Sequence, residues 1–239
     1  MSRSDPTMTI YPVSENALLI SWLEQICPIQ HQQITAMAQQ INKSLSAYLI
    51  ETIVSYNTLQ IYYHFDKITL PSLEHKLSDI WQEIVKHTER QHSQSNSVEI
   101  PVYYGDEVAL DMDDVVKHTQ LDRATIIKQH STRVYHAFAL GFTPGFCYLG
   151  SLPKQLSVAR KATPRLSIPK GAVAIAEQQT AVYPNSSPGG WHIIGQTPLA
   201  MYQVIEQQFI PTIAVGDTVK FVPIDKRQFI ELGGVFPTS

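Results

Sequence analysis

Residues 171–196, Gly-Ala-Val-Ala-Ile-Ala-Glu-Gln-Gln-Thr-Ala-Val-Tyr-Pro-Asn-Ser-Ser-Pro-Gly-Gly-Trp-His-Ile-Ile-Gly-Gln, decide the fold of the larger part of this chain. Apolar and β-branched runs at 172–176, 181–183 and 191–194 are cut by Pro, Gly, Asn and Ser, and no helical period connects them. Similar runs follow at 199–202 and 218–222. Many short strands with turns between them bury their faces best by closing on one another, so a compact, mostly antiparallel barrel or sandwich is expected.

Upstream of this segment, 98–104 and 133–140 read as strands, and 111–118 and 122–130 as short helices with Asp111 and Asp122 at or near their N-caps. Before them, 91–97 is Gln-His-Ser-Gln-Ser-Asn-Ser, polar and aperiodic, and marks a boundary between domains 1–95 and 96–239. In the first domain 17–22 reads as a strand. Ile34, Met37, Ala38, Ile41 and Leu45 recur at helical spacing, and strands at 48–55 and 59–65 flank Tyr56-Asn57-Thr58, where Asn57 suits a left-handed hairpin backbone. Pro71 opens a second helix with Leu73, Leu77, Ile80, Trp81, Ile84 and Val85 on one face. A small α+β domain, both helices on one face of a sheet, precedes the barrel.

The chain has 239 residues, 44% hydrophobic and 16% charged, enough to bury a core. Its 18 Lys+Arg and 21 Asp+Glu give a formal charge of -3 without long runs of either sign, so no footprint for nucleic acid exists. The cysteines, Cys27 and Cys147, are too few for a disulfide framework and fit a reducing compartment, the cytoplasm by default. Residues 1–12 lack the apolar region of a signal peptide, and the apolar run 17–23 is too short to span a bilayer, so neither export nor membrane insertion is expected.

Familiar nucleotide and metal motifs are missing: no Gly-x-x-x-x-Gly-Lys-Ser/Thr, Gly-x-Gly-x-x-Gly, His-Glu-x-x-His or Cys-x-x-Cys occurs, and no histidine pair lies at i, i+4. His130, at the end of a helix whose C-terminus favours its protonated form, is a candidate for proton transfer, or else a capping histidine. Residues 141–150 alternate three glycines and a proline with aromatics. Gly145, Phe146 and Tyr148 could wall a flat polar ligand or plug a barrel end. Cys147 reads as a nucleophile or a small buried thiol. Arg165, within Arg160-Lys161-Ala162-Thr163-Pro164-Arg165, could clamp a carboxylate or phosphate, or keep a loop soluble. Gln179, Thr180, Tyr183 and Ser187 stand beside Gly189-Gly190-Trp191, the equipment for holding an amide or a developing oxyanion, or two ordinary turns.

In this order the segments resemble the subunit 1 family of allophanate hydrolase, which includes the B component of 5-oxoprolinase and the sporulation-kinase inhibitor KipI. The resemblance covers 98–224 and rests on Gly141-Phe142-x-Pro144-Gly145-Phe146-x-Tyr148-Leu149, Ala162-Thr163-Pro164-Arg165, Gln179-Thr180-x-Val182-Tyr183-Pro184 and Ser187-Pro188-Gly189-Gly190-Trp191-x-Ile193-Ile194-Gly195-x-Thr197-Pro198. Glu177, Gln178, Ala181, Cys147 and His136 depart from the family pattern. The resemblance implies a cyclophilin-like barrel in the second domain. It also implies partners, a subunit 2 of related architecture and a third subunit, that together open 5-oxoproline to glutamate at the expense of ATP. On that reading His130 transfers protons, Arg165 clamps carboxylate or phosphate, and Gln179 and Thr180 recognise the amide. The ATP site is shared with or supplied by a partner, and the metal requirement is open. Alternatives are a KipI-like inhibitor that binds a histidine kinase, and a carboxyltransferase half acting on urea or a related amide.

Overall fold

The helical and alternating periods of the sequence become, in a computed structural model, elements spread over residues 8–23, 26–87 and 96–237. These residues belong to two compact units divided between Gln94 and Ser95. Most of the expected joint at 91–97, and residues 1–7 of the start, lie outside the described residues.

The first unit contains β1 (Thr9–Ser14), β2 (Ala17–Ser21), α1 (Pro28–Ser44), β3 (Leu49–Val54), β4 (Thr58–Tyr63) and α2 (Leu70–His87). Its sheet is antiparallel in the order β1-β2-β4-β3. Alternation puts Leu59, Ile61 and Tyr63 of β4 on the buried face with Leu18 and Ile20 of β2. Ile34, Met37 and Ile41 of α1 and Leu73, Leu77 and Trp81 of α2 join the same cluster, each such side chain contributing about 1.5–3 kcal/mol on burial. Asn57 is not in the left-handed conformation expected of it. Its carbonyl instead accepts the Trp22 N–H at 2.9 Å, tying the β3–β4 turn to the end of β2.

The second unit runs β5 (Ser97–Tyr103), α3 (Met112–Thr119), α4 (Arg123–Ser131), β6 (Val134–Leu140), β7 (Cys147–Gly150), β8 (Arg165–Ile168), β9 (Ala172–Ala176), β10 (Gln179–Val182), β11 (Ser187–Gly189), β12 (His192–Gln196), β13 (Tyr202–Ile205), β14 (Gln208–Pro211), β15 (Thr218–Ile224) and α5 (Lys226–Glu231). Seven strands close a barrel in the order β10-β7-β6-β15-β5-β12-β9, antiparallel except for the parallel pair β15–β5. Tyr135, Leu149, Val173, Ile175, Val182 and Phe221 fill the interior, and α3 and α4 add Met112, Val115 and Ile126. The opposite face of β9 and β10 carries Ala172, Ala174, Ala176 and Ala181, all buried. Methyl side chains there leave room for large rings and for the separate β8–β11 ribbon.

Candidate functional site

On the alanine-lined outer face, Phe146, Tyr148, Tyr183 and Trp191 form one aromatic wall, with Phe146, Tyr183 and Trp191 buried and Tyr148 half-buried. Phe146 lies 4.9 Å from Tyr148, 5.3 Å from Tyr183 and 5.8 Å from Trp191, in edge-to-face arrangements worth about 0.5–1.5 kcal/mol each beyond burial. Close approach is what Gly189 supplies. A Cβ there would lie 2.4 Å from the Tyr183 hydroxyl oxygen. Burial pushes the Tyr183 phenol up to about 12. Gly145 has φ +84°, and a side chain there would meet the Tyr202 ring. Phe142 is 60% exposed beside this wall and held at φ +68°, a left-handed backbone that costs a bulky residue about 1–2 kcal/mol. Backbone strain of this kind collects at binding sites.

Next to the wall, the β8–β11 pairing sets Arg165 opposite Gly189. Arg165 does not stand alone there. Its guanidinium donates to Asp111 Oδ2 at 2.6 Å, Lys161 donates to Asp111 Oδ1 at 2.6 Å and to Asp114 at 3.1 Å, and the Ile193 N–H donates to Asp111 Oδ2 at 2.9 Å. Burial alone would raise the Asp111 carboxyl, but bonds from Lys161, the Ile193 N–H and Arg165 hold it below the usual carboxylate range. The grip on a ligand carboxylate or phosphate expected of Arg165 is therefore taken in part by an internal carboxylate. His192 is buried beside these groups, donating to the Ala159 carbonyl at 3.0 Å, and burial lowers its pKa. Asp111, Asp114 and His192 offer ligand atoms within 4.8 Å of one another, yet the Lys161 ammonium already bridges both carboxylates.

His130 and Thr180 do not belong to this surface. Thr180 lies on the interior side of β10 and donates its hydroxyl to the Ala174 carbonyl at 3.0 Å. Its oxygen thus accepts from His130 Nε2 at 2.9 Å, and His130 Nδ1 accepts from the Tyr104 hydroxyl at 2.8 Å. The imidazole is fully buried, stacked 4.5 Å from Phe221, and burial lowers its pKa to about 3. A neutral ring with both nitrogens engaged inside the barrel cannot pass protons to a ligand, so the proton-transfer role expected of His130 is corrected to a structural one. Amide recognition by Thr180 is corrected likewise. Cys147 is buried in the core, where burial pushes its thiol up.

The structure thus gathers Gly145, Phe146, Tyr148, Arg165, Tyr183, Ser187, Gly189, Gly190 and Trp191 around one outer face, with Gln179 partly exposed on the outward side of β10. Asp111, Asp114 and His192 escaped sequence reasoning, and the only trace was Asp111 at a helix start. A concavity away from this face, lined by Tyr103, Tyr104, Asp106, Glu107 and Arg123, keeps its charges paired: Arg123 with Asp106, and Glu107 with Lys226.

Nor does the 141–146 turn make a phosphate cradle. The Phe146 and Gly141 N–H groups close the turn on itself. Lys161 and Arg165 are likewise engaged by Asp111.

A family model described as carboxyltransferase domain, subdomain C and D, matches residues 8–212. The chain is 37% identical over 216 residues to the B component of 5-oxoprolinase from Haemophilus influenzae, covering 90% of this chain and 97% of that protein. It is 35% identical to the Bacillus subtilis protein of the same name, covering 92% and 94%. Among solved structures, TTHA0988 superposes with a TM-score of 0.76 at 26% identity, covering 93% of this chain but only 41% of that longer one. Kluyveromyces lactis urea carboxylase, at 16% identity and a TM-score of 0.73, covers 96% of this chain and 23% of that one and shares the fold.

Proposed function

We propose, for a chain that belongs to the carboxyltransferase-domain family, subdomains C and D, the role of one component in an ATP-dependent 5-oxoprolinase. The observation that carries this reading is its match to proteins named as the B component of 5-oxoprolinase along nearly their whole length, 97% and 94% of theirs. The site geometry is compatible with it. A lactam is a flat ring with a polar amide edge, suited to an aromatic wall flanked by hydroxyl, amide and guanidinium groups. Ring amides resist water, so phosphorylation of the carbonyl oxygen is the step that makes hydrolysis to glutamate feasible.

Within that scheme the half-buried Tyr148 presents the edge of the wall, Arg165 offers its remaining N–H groups to the lactam's carboxylate, and Gln179 and Ser187 meet the amide. On this reading the ATP site is shared with or supplied by a partner, a subunit 2 or a third subunit. This chain then supplies half of a pocket and is inactive alone, working in the cytoplasm with those partners. The test is 5-oxoproline-dependent ATP hydrolysis by the purified chain, by its partners, and by the mixture. Only the mixture should respond, and Arg165→Ala should lower its turnover about tenfold or more, the loss of one charge-assisted contact. An unaffected Arg165→Ala mixture misplaces the site.

The inhibitor alternative needs an exposed apolar patch on the second unit, and β13–β14 provides one. Co-purification decides: recovery of a histidine kinase without a subunit 2 favours inhibition.

A further inference from the structure

Arg165 is fixed at both ends of its side chain. Its backbone is paired across the β8–β11 ribbon with Gly189, and its Nη1 donates to Asp111 Oδ2 at 2.6 Å. Asp111 is in turn held from four directions. Its own N–H donates to the Ile193 carbonyl at 2.9 Å, the Ile193 N–H donates back to Oδ2 at 2.9 Å, and Lys161 holds Oδ1 at 2.6 Å. At 1% exposure the carboxylate is shut off from water, and β12, to which it is tied, is a strand of the closed barrel.

What Asp111 takes from Arg165 is one corner of the guanidinium. Nε–H and Nη2–H, along another edge, have no partner among the described residues, and the side chain stays 29% exposed. Those two groups form a planar fork that matches the two oxygens of a carboxylate. A long side chain free in solvent loses its rotamer freedom when it grips a ligand, and one already held in place does not. Binding groups are most precise when hydrogen bonds from the residues behind them lock their rotamers. A buried ion pair often gains no stability over apolar packing of similar volume, so stability alone does not account for this device.

We propose that Asp111 is a positioning residue of the binding site: it holds Arg165 so that the free Nε/Nη2 edge receives the carboxylate of the lactam. This deepens the reading of the chain as a 5-oxoprolinase component and rests on it. Asp111 itself touches no substrate and acts through Arg165.

The test is steady-state 5-oxoproline-dependent ATP hydrolysis by the complete mixture of this chain with its partner subunits. Asp111→Asn should lower kcat/KM for 5-oxoproline about tenfold, through KM and with kcat within about twofold. Added to Arg165→Ala, the same substitution should change kcat/KM by no more than about twofold, since the group it acts through is gone. A role in folding alone would lower the amount of active mixture, seen as kcat, and its effect would add to that of Arg165→Ala. A second arm leaves Asp111 intact: millimolar guanidinium ion should raise the turnover of the Arg165→Ala mixture severalfold by seating on the vacated carboxylate oxygen. An unchanged KM in Asp111→Asn, a loss that adds to that of Arg165→Ala, or, where Asp111→Asn does not fold, no rescue by guanidinium would overturn the proposal. An impaired Arg165→Ala beside an unimpaired Asp111→Asn sinks this inference and leaves the proposed function standing. No response to 5-oxoproline from any mixture, or an Arg165→Ala mixture as active as wild type, removes both.

Discussion

Asp111 holds the most consequential side chain of the second unit. Its carboxylate is almost wholly buried, while Lys161 and Arg165, at 19% and 29% exposure, keep contact with water. Asp111→Ala should therefore cost about 2–4 kcal/mol in denaturant unfolding, below a fully buried pair because the stranded cations can rehydrate. Gly189→Ala should cost about 1–3 kcal/mol, since the new methyl displaces the Tyr183 hydroxyl. Acid sensitivity follows from His130. Its folded pKa of about 3 lies below the ordinary 6.5, so the unfolded chain binds more protons between those values. Stability is then complete above pH 6.5 and falls with acid by up to about 1.4 kcal/mol per pH unit. His136 and His192 shift in the same direction. Unfolding free energies that stay level between pH 7.5 and 5 would refute this. None of these roles was legible in the sequence, because the Asp111 partners lie 50 and 54 positions away and Thr180 lies 50 from His130.

Elements were legible where the pattern is local. The apolar run at 172–176 is β9, and α4 starts from Asp122, whose side chain accepts the Thr125 N–H at 2.7 Å. Strands whose turns lack the usual residues were not. The ribbon β13–β14 was expected only as a strand at 199–202, because Glu206-Gln207 carries none of the Asn-Gly chemistry that announces a hairpin. Glu177, between β9 and β10, likewise has φ +54°. Glu177→Gly should raise the stability of the barrel unit by about 0.5–1 kcal/mol, read as a higher unfolding midpoint. Its ion pair with Arg160, 3.6 Å and exposed, subtracts little. A lowered midpoint would mean that the loop is held by contacts beyond its backbone.

For the molecule as a whole, the barrel could be anticipated because strand and turn signals repeat along the second unit. Which barrel face carries the site could not, since alternation assigns residues to faces only after closure fixes the interior. That distinction put His130 and Thr180 inside the barrel, Phe146, Tyr183 and Trp191 in a second buried cluster on its outer face, and left Phe142 exposed. The central claim is that this outer face functions only when partner subunits complete it. The most direct measurement is the conversion of isotopically labelled 5-oxoproline to glutamate, with ATP, by this chain, its subunit 2 and the third subunit, each omitted in turn. The account predicts labelled glutamate from the complete mixture alone. Labelled glutamate from this chain by itself, or undiminished conversion when it is left out, would contradict it.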